Sequence, residues 1–438
     1  MSPGLTCAAA VTRRSLLRAG AGGALLAGLP LGAQAALAAF RPAEASFANV
    51  AALIDSFVSG RKLPGMLAAL GFGEAPPQVI ARGLEGFADR DPLTVDSLFR
   101  IYSMTKPITG MAAMILIDQG KLALDQPLAD ILPKFARMRV QAVADGSLTE
   151  LKPARTAITI RHLLTHTAGL GYAVIQKGPL RAAYEKAGLV AGRISRLPIP
   201  ALDPGRPAES LAQFADRLSE LPLVYEPGTR WSYSVALDLM GRVIEVVSGQ
   251  PFDRFLDERL FAPLGMTSTY FQVPASETRR LTTNYAIFAG IPVPIDPADS
   301  SIYSDPPPFP FGGSGLVSSP RDYDRFLAML AGYGVLGGKR VMSERAVRLG
   351  TSNLLPAGVS TRGTLADGGG FGAGGRVGLG EEEGTFGWAG AAGTIGFVHL
   401  KRGLRAGLYA QYMPAEAYPI RREFPLAVLA DLRAMVAG

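Results

Sequence analysis

Ser103-Met104-Thr105-Lys106 puts a hydroxyl and an amine three residues apart, within the run Leu98-Phe-Arg-Ile-Tyr-Ser-Met-Thr-Lys-Pro-Ile-Thr-Gly110. On a helix, residues i and i+3 share one face, so the Lys106 amine can stand beside the Ser103 hydroxyl and make it nucleophilic without a histidine. The residues that follow supply the helix: Ile108, Met111, Met114, Ile115 and Leu116 recur at spacings of three and four, and Gly120 ends the run. Ser103 then falls in the first turn, where free backbone N–H groups and the positive helix end favour the negative charge of a tetrahedral oxyanion. A pattern with two fixed positions recurs easily. Ser59-Gly60-Arg61-Lys62 repeats it, but Gly60 and Leu63-Pro64-Gly65 read there as a helix end or turn.

The elements around the motif have to bring other chemistry to it. Ala43 to Ser59 reads as a first helix, and Met66 to Leu70 and Gln78 to Gly83 as strands joined by a turn over 71–77. From Asp125 to about Ser276 the pattern is mostly helical, with amphipathic spacing in Ile160–Leu164, Ala208–Leu218, Val235–Ser248 and Phe252–Leu260. Near Asn284 the character changes: Ile291-Pro-Val-Pro-Ile295 and Asp305-Pro-Pro-Pro-Phe-Pro310 break periodicity and predict surface loops. Pro320 opens a helix to Gly332, the Gly-rich stretch 368–380 precedes strands at Gly393–Leu400 and Ala406–Gln411, and a last helix covers about Arg422 to Met435. Strands near both ends, with helices between, predict one sheet built from both termini, an inserted helical lobe and a site in the cleft between them.

Bulk properties exclude several classes. Thr12-Arg13-Arg14-Ser15-Leu16-Leu17-Arg18 is a twin-arginine pattern, followed by an apolar stretch from Ala19 to Leu31 and small-residue cleavage options at Ala33-Gln34-Ala35 or Ala36-Leu37-Ala38. Residues 1–38 are therefore expected to be a twin-arginine export signal, making the protein periplasmic or secreted, with no stable membrane insertion after cleavage. The only cysteine, Cys7, precedes the twin arginines, so the mature chain has neither a disulfide nor a thiol nucleophile. The formal net charge is +7, and no Lys/Arg cluster interleaved with aromatics appears, which argues against a nucleic-acid partner. Three histidines, His162, His166 and His399, and no dense cluster of acids around them argue against a metal site. No cofactor is implied, and nothing in the sequence sets an oligomeric state.

Two more landmarks follow Ser103 in order. Pro227-Gly-Thr-Arg-Trp-Ser-Tyr-Ser-Val-Ala-Leu-Asp-Leu-Met-Gly241 puts Tyr233 in a turn before a helix, and Gly387-Trp388-Ala389-Gly390-Ala391-Ala392-Gly393-Thr394 opens a strand. Together with Ile160-Arg-His-Leu-Leu-Thr-His-Thr-Ala-Gly-Leu170, Leu264-Gly-Met-Thr-Ser-Thr269 and Gly315-Leu-Val-Ser-Ser319, these make residues 43–435 resemble the serine β-lactamase and penicillin-binding-protein superfamily. Within it, the chain is most similar to the β-lactamase-like, or family VIII, carboxylesterases. The resemblance implies an α/β (α+β) fold of β-lactamase/DD-peptidase type, with an antiparallel sheet flanked by helices. Residues 39–438 would form a single serine hydrolase domain, with a sheet lobe from about 40–100 and 285–438 and a mainly helical lobe over about 101–284. It also implies that Ser103 is the acylated nucleophile, that Lys106 and Tyr233 form the proton-transfer pair, and that the N–H groups of Ser103 and Ala391 hold the oxyanion. His166 invites a Ser-His reading, but there is no Gly-x-Ser-x-Gly elbow, and in similar proteins its segment is structural.

At neutral pH a lysine with an ordinary pKa near 10.4 is uncharged about once in 2,500 molecules, and tyrosine starts from about 10, so the sequence leaves open which of the pair acts first. Two departures from the lactamase pattern bear on substrate. Val235 stands where lactamases of this architecture have an asparagine that bonds the acyl amide. Trp388 stands where a cation would meet a substrate carboxylate, removing a contact worth about 1.5–3 kcal/mol. With Trp388, Gly390 and Val235 as substrate-contact residues, the expected substrate is a small, neutral, apolar ester. The alternatives are a β-lactamase or D-amino-acid-releasing peptidase using another cation such as Arg376, an acyltransferase, or a non-catalytic cell-wall binding module. The loops 284–315 and 355–385 are expected to shape the pocket.

Overall fold

The structure, a computed structural model, describes residues 43–190, 192–197 and 206–437. The export signal expected at 1–38 lies outside them. Seven strands form the main sheet: β1 (Gly65–Phe72), β2 (Gln78–Gly83), β3 (Gly370–Phe371), β4 (Arg376–Val377), β5 (Thr385–Ala389), β6 (Ile395–His399) and β7 (Leu404–Tyr409). Every neighbouring pair is antiparallel, in the order β3-β4-β5-β6-β7-β1-β2. The two ends of the chain meet where β1 pairs with β7, Leu67 opposite Tyr409 and Phe72 opposite Leu404.

Alternation along β1 decides what covers the sheet. Leu67 and Ala69 join one core, while Met66, Ala68 and Leu70 join a second on the opposite face, as a side-chain period of two requires. Helices α1 (Ala48–Val58) and α5 (Ile420–Ala437) close the second face with Val50, Ile54, Phe424 and Val428. The first face carries the larger core, to which α2 (Thr105–Asp118), α3 (Ala236–Ser248) and α4 (Pro320–Ala331) contribute Met111, Met240 and Phe326. A fully buried aliphatic side chain is worth about 1.5–3 kcal/mol, so both faces favour this sheet strongly. The result is the expected mixed α/β architecture of helices around an antiparallel sheet. Among the described residues no helix is long and apolar enough to cross a membrane.

Two buried ion pairs tie distant segments together. Arg405 on β7 donates to Asp324 on α4 at 2.8 Å. Arg100 donates through Nε to Asp296 at 2.6 Å, and also reaches Ser301 Oγ at 3.0 Å, while the Gln411 side chain accepts from its backbone N–H at 3.0 Å. This knot ends three residues before Ser103.

Three expectations need correction. Ile291–Asp296, read as a loop, is a strand pairing with Asn284–Phe288. It is an outer strand, no other strand among the described residues pairing with its far edge, so prolines are tolerated in it. The Gly-rich stretch supplies β3 and β4, which widen the main sheet beyond β5. The Trp388-Ala389-Gly390 segment closes a strand, since β5 ends at Ala389 and the turn to β6 follows.

Candidate active site

Ser103 sits in a 3₁₀ turn, Tyr102–Met104, that runs directly into α2. Tyr102 has φ +40°, a left-handed conformation that a bulky residue holds only when its surroundings force it. Its ring supplies that force: it packs edge-on against Tyr303 at 6.3 Å, in a small apolar cluster with Val317, Ala391 and Ala392.

One turn further, the Lys106 amine donates to Ser103 Oγ at 3.1 Å and to the Gly313 carbonyl at 2.6 Å, and the residue is fully buried. The segment around Gly313 is tied to α2 by two further bonds, from Thr109 Oγ1 to Gly312 O at 2.7 Å and from Leu316 N–H to Thr105 Oγ1 at 3.2 Å. On the opposite side the Gly-rich hairpin between β3 and β4 packs so closely that a Cβ at Gly374, whose φ is +76°, would lie 2.3 Å from Lys106 O. A side chain there would push the hairpin off the helix that carries the lysine.

The Lys106 Nζ lies over two rings, 4.5 Å from the Tyr233 centroid and 5.8 Å from that of Tyr172. Its nearby carboxylate is Asp238, in the first turn of α3, whose Oδ1 accepts the Gly313 N–H at 2.8 Å. Burial pushes the Asp238 carboxyl up to about 6, against the pull of Lys106 and the Gly313 N–H. One peptide segment thus bridges cation and carboxylate.

Tyr233 is held by an aromatic nest. Its oxygen accepts the indole N–H of Trp388 at 3.1 Å. Trp231 stacks on it at 6.0 Å, His166 lies at 4.8 Å, and Phe371 packs edge-on to Trp388 at 5.3 Å. His166 Nδ1 lies 3.1 Å from Ser234 Oγ and 3.3 Å from Ser234 N. Burial, then the charge of Lys106, holds this imidazole well below its usual pKa, so it is neutral and serves to orient the Tyr233 turn. Burial first, then Tyr233 and Asp238, keeps the Tyr172 phenol protonated well above its ordinary range.

The fourth wall is the turn after β5. Gly390 N–H donates to Thr394 O at 2.7 Å, closing the turn, and a Cβ on Gly390 would lie 2.5 Å from Ile101 O, two residues before Ser103. Only glycine permits that approach, and it brings Ala391 into the same apolar cluster as Tyr102.

Ser103, Lys106, Tyr233, Trp388, Gly390 and Ala391 are therefore brought together from three segments, 103–106, 233 and 388–391. Val235 is not part of the surface they form: its side chain is fully enclosed in the core and its N–H donates to Gly171 O at 3.2 Å as α3 begins, so it offers a ligand nothing to touch. Arg376 is engaged on β4 by Glu382 at 2.7 Å. Tyr172, Asp238, Gly313, Trp231 and Phe371 escaped the sequence reading. Asp238 alone left a trace there, as a lone charge in the apolar run Val235-Ala-Leu-Asp-Leu-Met240. Chemically, the cluster can take the proton of Ser103 Oγ onto a neighbouring uncharged amine or a phenolate in a site nearly closed to water.

Comparison with known proteins agrees with this geometry. Protein Rv1367c of Mycobacterium tuberculosis is 39% identical over 267 residues, spanning 60% of this chain and 62% of that protein. Esterase EstB of Burkholderia gladioli is 32% identical over 385 residues, 82% of this chain and 88% of EstB. Among solved structures, EstCE1, described as a hydrolase with promiscuous acyltransferase activity, superposes with a TM-score of 0.70 at 26% identity, covering 90% of this chain and all of that one. The family model described as Beta-lactamase matches residues 50–430, a span that takes in all three segments of the site, and the chain belongs to that family.

Proposed function

We propose that this protein is a serine carboxylesterase acting on small, neutral esters. One observation carries the reading: the wall that faces the Ser103–Lys106–Tyr233 cluster is built from uncharged rings, with Trp388 bonded to Tyr233 and Arg376 already paired with Glu382. Among the described residues of that wall a substrate carboxylate would find no unpaired cation, whereas an apolar acyl group gains by burial. EstB, described as an esterase, supports the reading.

In the proposed reaction Ser103 Oγ attacks the ester carbonyl carbon while its proton passes to the Lys106–Tyr233 pair. The carbonyl oxygen becomes an oxyanion held by the N–H groups of Ser103 and Ala391. The C–O bond to the alcohol breaks, the departing alkoxide takes back the proton, and an acyl ester remains on Ser103. Water then attacks the acyl carbon, again giving a proton to the pair, and the acid leaves as Ser103 Oγ is reprotonated. An alcohol in place of water would give acyl transfer, a second reading favoured by the description of EstCE1. The twin arginines at 13–14 support export to the periplasm as the place of action.

The test is hydrolysis of a p-nitrophenyl acyl ester series of increasing chain length beside a chromogenic cephalosporin, with wild type and Ser103→Ala. Ester turnover abolished in the variant, with little cephalosporin opening, supports the proposal. Efficient cephalosporin opening with poor ester turnover refutes it. A serine-directed phosphonate that fails to label the wild type would point to a binding module.

A further inference from the structure

Gly390 and Ala391 share one peptide group, and that group is gripped from outside the site. Its carbonyl oxygen accepts a hydrogen bond from Arg421 Nη2 at 2.9 Å. Arg421 stands in the first turn of α5, on the face of the sheet away from α2, and its Nη1 lies 3.3 Å from Glu416 Oε1. The peptide is trans, the cis bond of the described residues being Met413–Pro414, so its C=O and N–H point in opposite directions. A carbonyl drawn towards α5 turns the N–H of Ala391 away from α5. Gly390 is pinned at the same time by its own N–H on Thr394 O at 2.7 Å and by close approach to Ile101.

The geometry points to Arg421 as a positioning residue of the oxyanion hole, setting the direction of the Ala391 N–H through the carbonyl of the same peptide. The inference rests on the proposed role of that N–H. A short turn between two strands has one soft degree of freedom, the flip of this peptide plane, and an N–H aimed elsewhere contributes nothing to a developing oxyanion. Arginine suits the task because its planar fork can hold the carbonyl and Glu416 together, and the charge strengthens the bond. Lysine keeps the charge but lacks the planar fork that fixes both contacts in one geometry.

The experiment uses the full chain as wild type, Arg421→Ala, Arg421→Lys and Glu416→Gln. For each, kcat and KM are measured on a p-nitrophenyl ester, and affinity is measured for an alkyl boronic acid, which forms a tetrahedral adduct with a serine oxygen, and for the carboxylic acid product. Arg421→Ala is expected to lower kcat about tenfold with KM little changed, and to weaken the boronic acid by a similar factor while leaving the product's affinity alone. Millimolar guanidinium should restore part of both losses, since the side chain is 32% exposed and leaves a gap open to solvent. Glu416→Gln, which keeps the Gly390 contact, should behave as wild type, and Arg421→Lys should fall between. Unchanged kcat and boronic acid affinity in Arg421→Ala overturn the inference, as does a loss of activity without loss of boronic acid affinity or without guanidinium rescue. If Arg421→Ala does not fold, Arg421→Lys carries the same readouts. A wild type that binds the boronic acid no better than the product refutes the oxyanion reading itself, separately from Arg421.

Discussion

The indole N–H of Trp388 points at the oxygen of Tyr233 across 3.1 Å. Indole only donates, so the phenol oxygen must accept, and its own proton is free to turn elsewhere. A donor held on that oxygen also stabilises it whenever it carries negative charge. Trp388 thus bears on the tyrosine proposed to transfer the proton as well as on the proposed substrate wall.

Trp388→Phe separates the two tasks, since phenylalanine keeps an aromatic wall and lacks the N–H. A lost hydrogen bond to a charged oxygen is worth about 1.5–3 kcal/mol, so kcat/KM should drop by about ten- to a hundredfold, with the loss in kcat. Steady-state kinetics on a short-chain ester would show this. A rise in KM alone would mean that Trp388 acts only as a wall.

Asp238 should govern the acid side of the pH profile. Its carboxyl, raised to about 6, is ionised above that pH and protonated below it. The negative charge beside Lys106 and Gly313 is therefore lost as pH falls through about 6, and kcat/KM should fall with it. Asp238→Asn should have a lower plateau and lack that inflection, measured between pH 4.5 and 8.5.

Glu85 makes a prediction about stability. Burial lifts its carboxyl from 4.5 to about 6, opposed by a hydrogen bond from Ser97 at 2.7 Å. A raised carboxyl pKa means that its contribution to stability is fully present below the unfolded value and is lost as pH rises through the folded one. Glu85→Gln, which still accepts from Ser97, should be more stable than wild type by about 1–2 kcal/mol at pH 7.5, and the difference should vanish near pH 4. Denaturant melts at the two pH values would check both the sign and the window.

Asp296→Asn leaves the fully buried Arg100 guanidinium without its counter-charge. Breaking a buried pair on one side costs about 3–5 kcal/mol, which denaturant unfolding would report.

Gly390→Ala attacks the site with one methyl group. Its Cβ would lie 2.1 Å from Thr394 Oγ1 and 2.5 Å from Ile101 O, so the turn must shift away from Ser103. Ester turnover should fall about a hundredfold, and because Ile101 O is backbone and cannot swing aside the melting temperature should fall too, while the circular dichroism spectrum stays that of the native fold.

Legibility in the sequence followed the range of the interactions. Ser103 and Lys106 declared themselves because their relation is local, one turn of helix. α4 and α5 were visible in their apolar spacing, and Pro320 marked where α4 starts. Ile291–Asp296 was hidden because two prolines disguise a strand that needs bonds on one edge only. β3 and β4 were hidden because glycine carries no periodicity, and their strand character comes from pairing with β5. Val235 was misjudged because a motif position says nothing of which way a side chain turns, and here it turns into the core. Tyr172 and Phe371 reach the site from segments about 200 residues apart in the chain, and only the folded core relates them.

The pairing of β1 with β7 has a consequence for how the protein is made. β1 leaves the ribosome early, yet its neighbour in the sheet is synthesised more than 300 residues later, and the turn bearing Ala391 comes just before it. A nascent chain stopped before residue 385 holds the serine and the lysine but has no strand to complete the sheet beside them. Maturation of the site must therefore wait until residues 385–409 have been made and can pair beside β1.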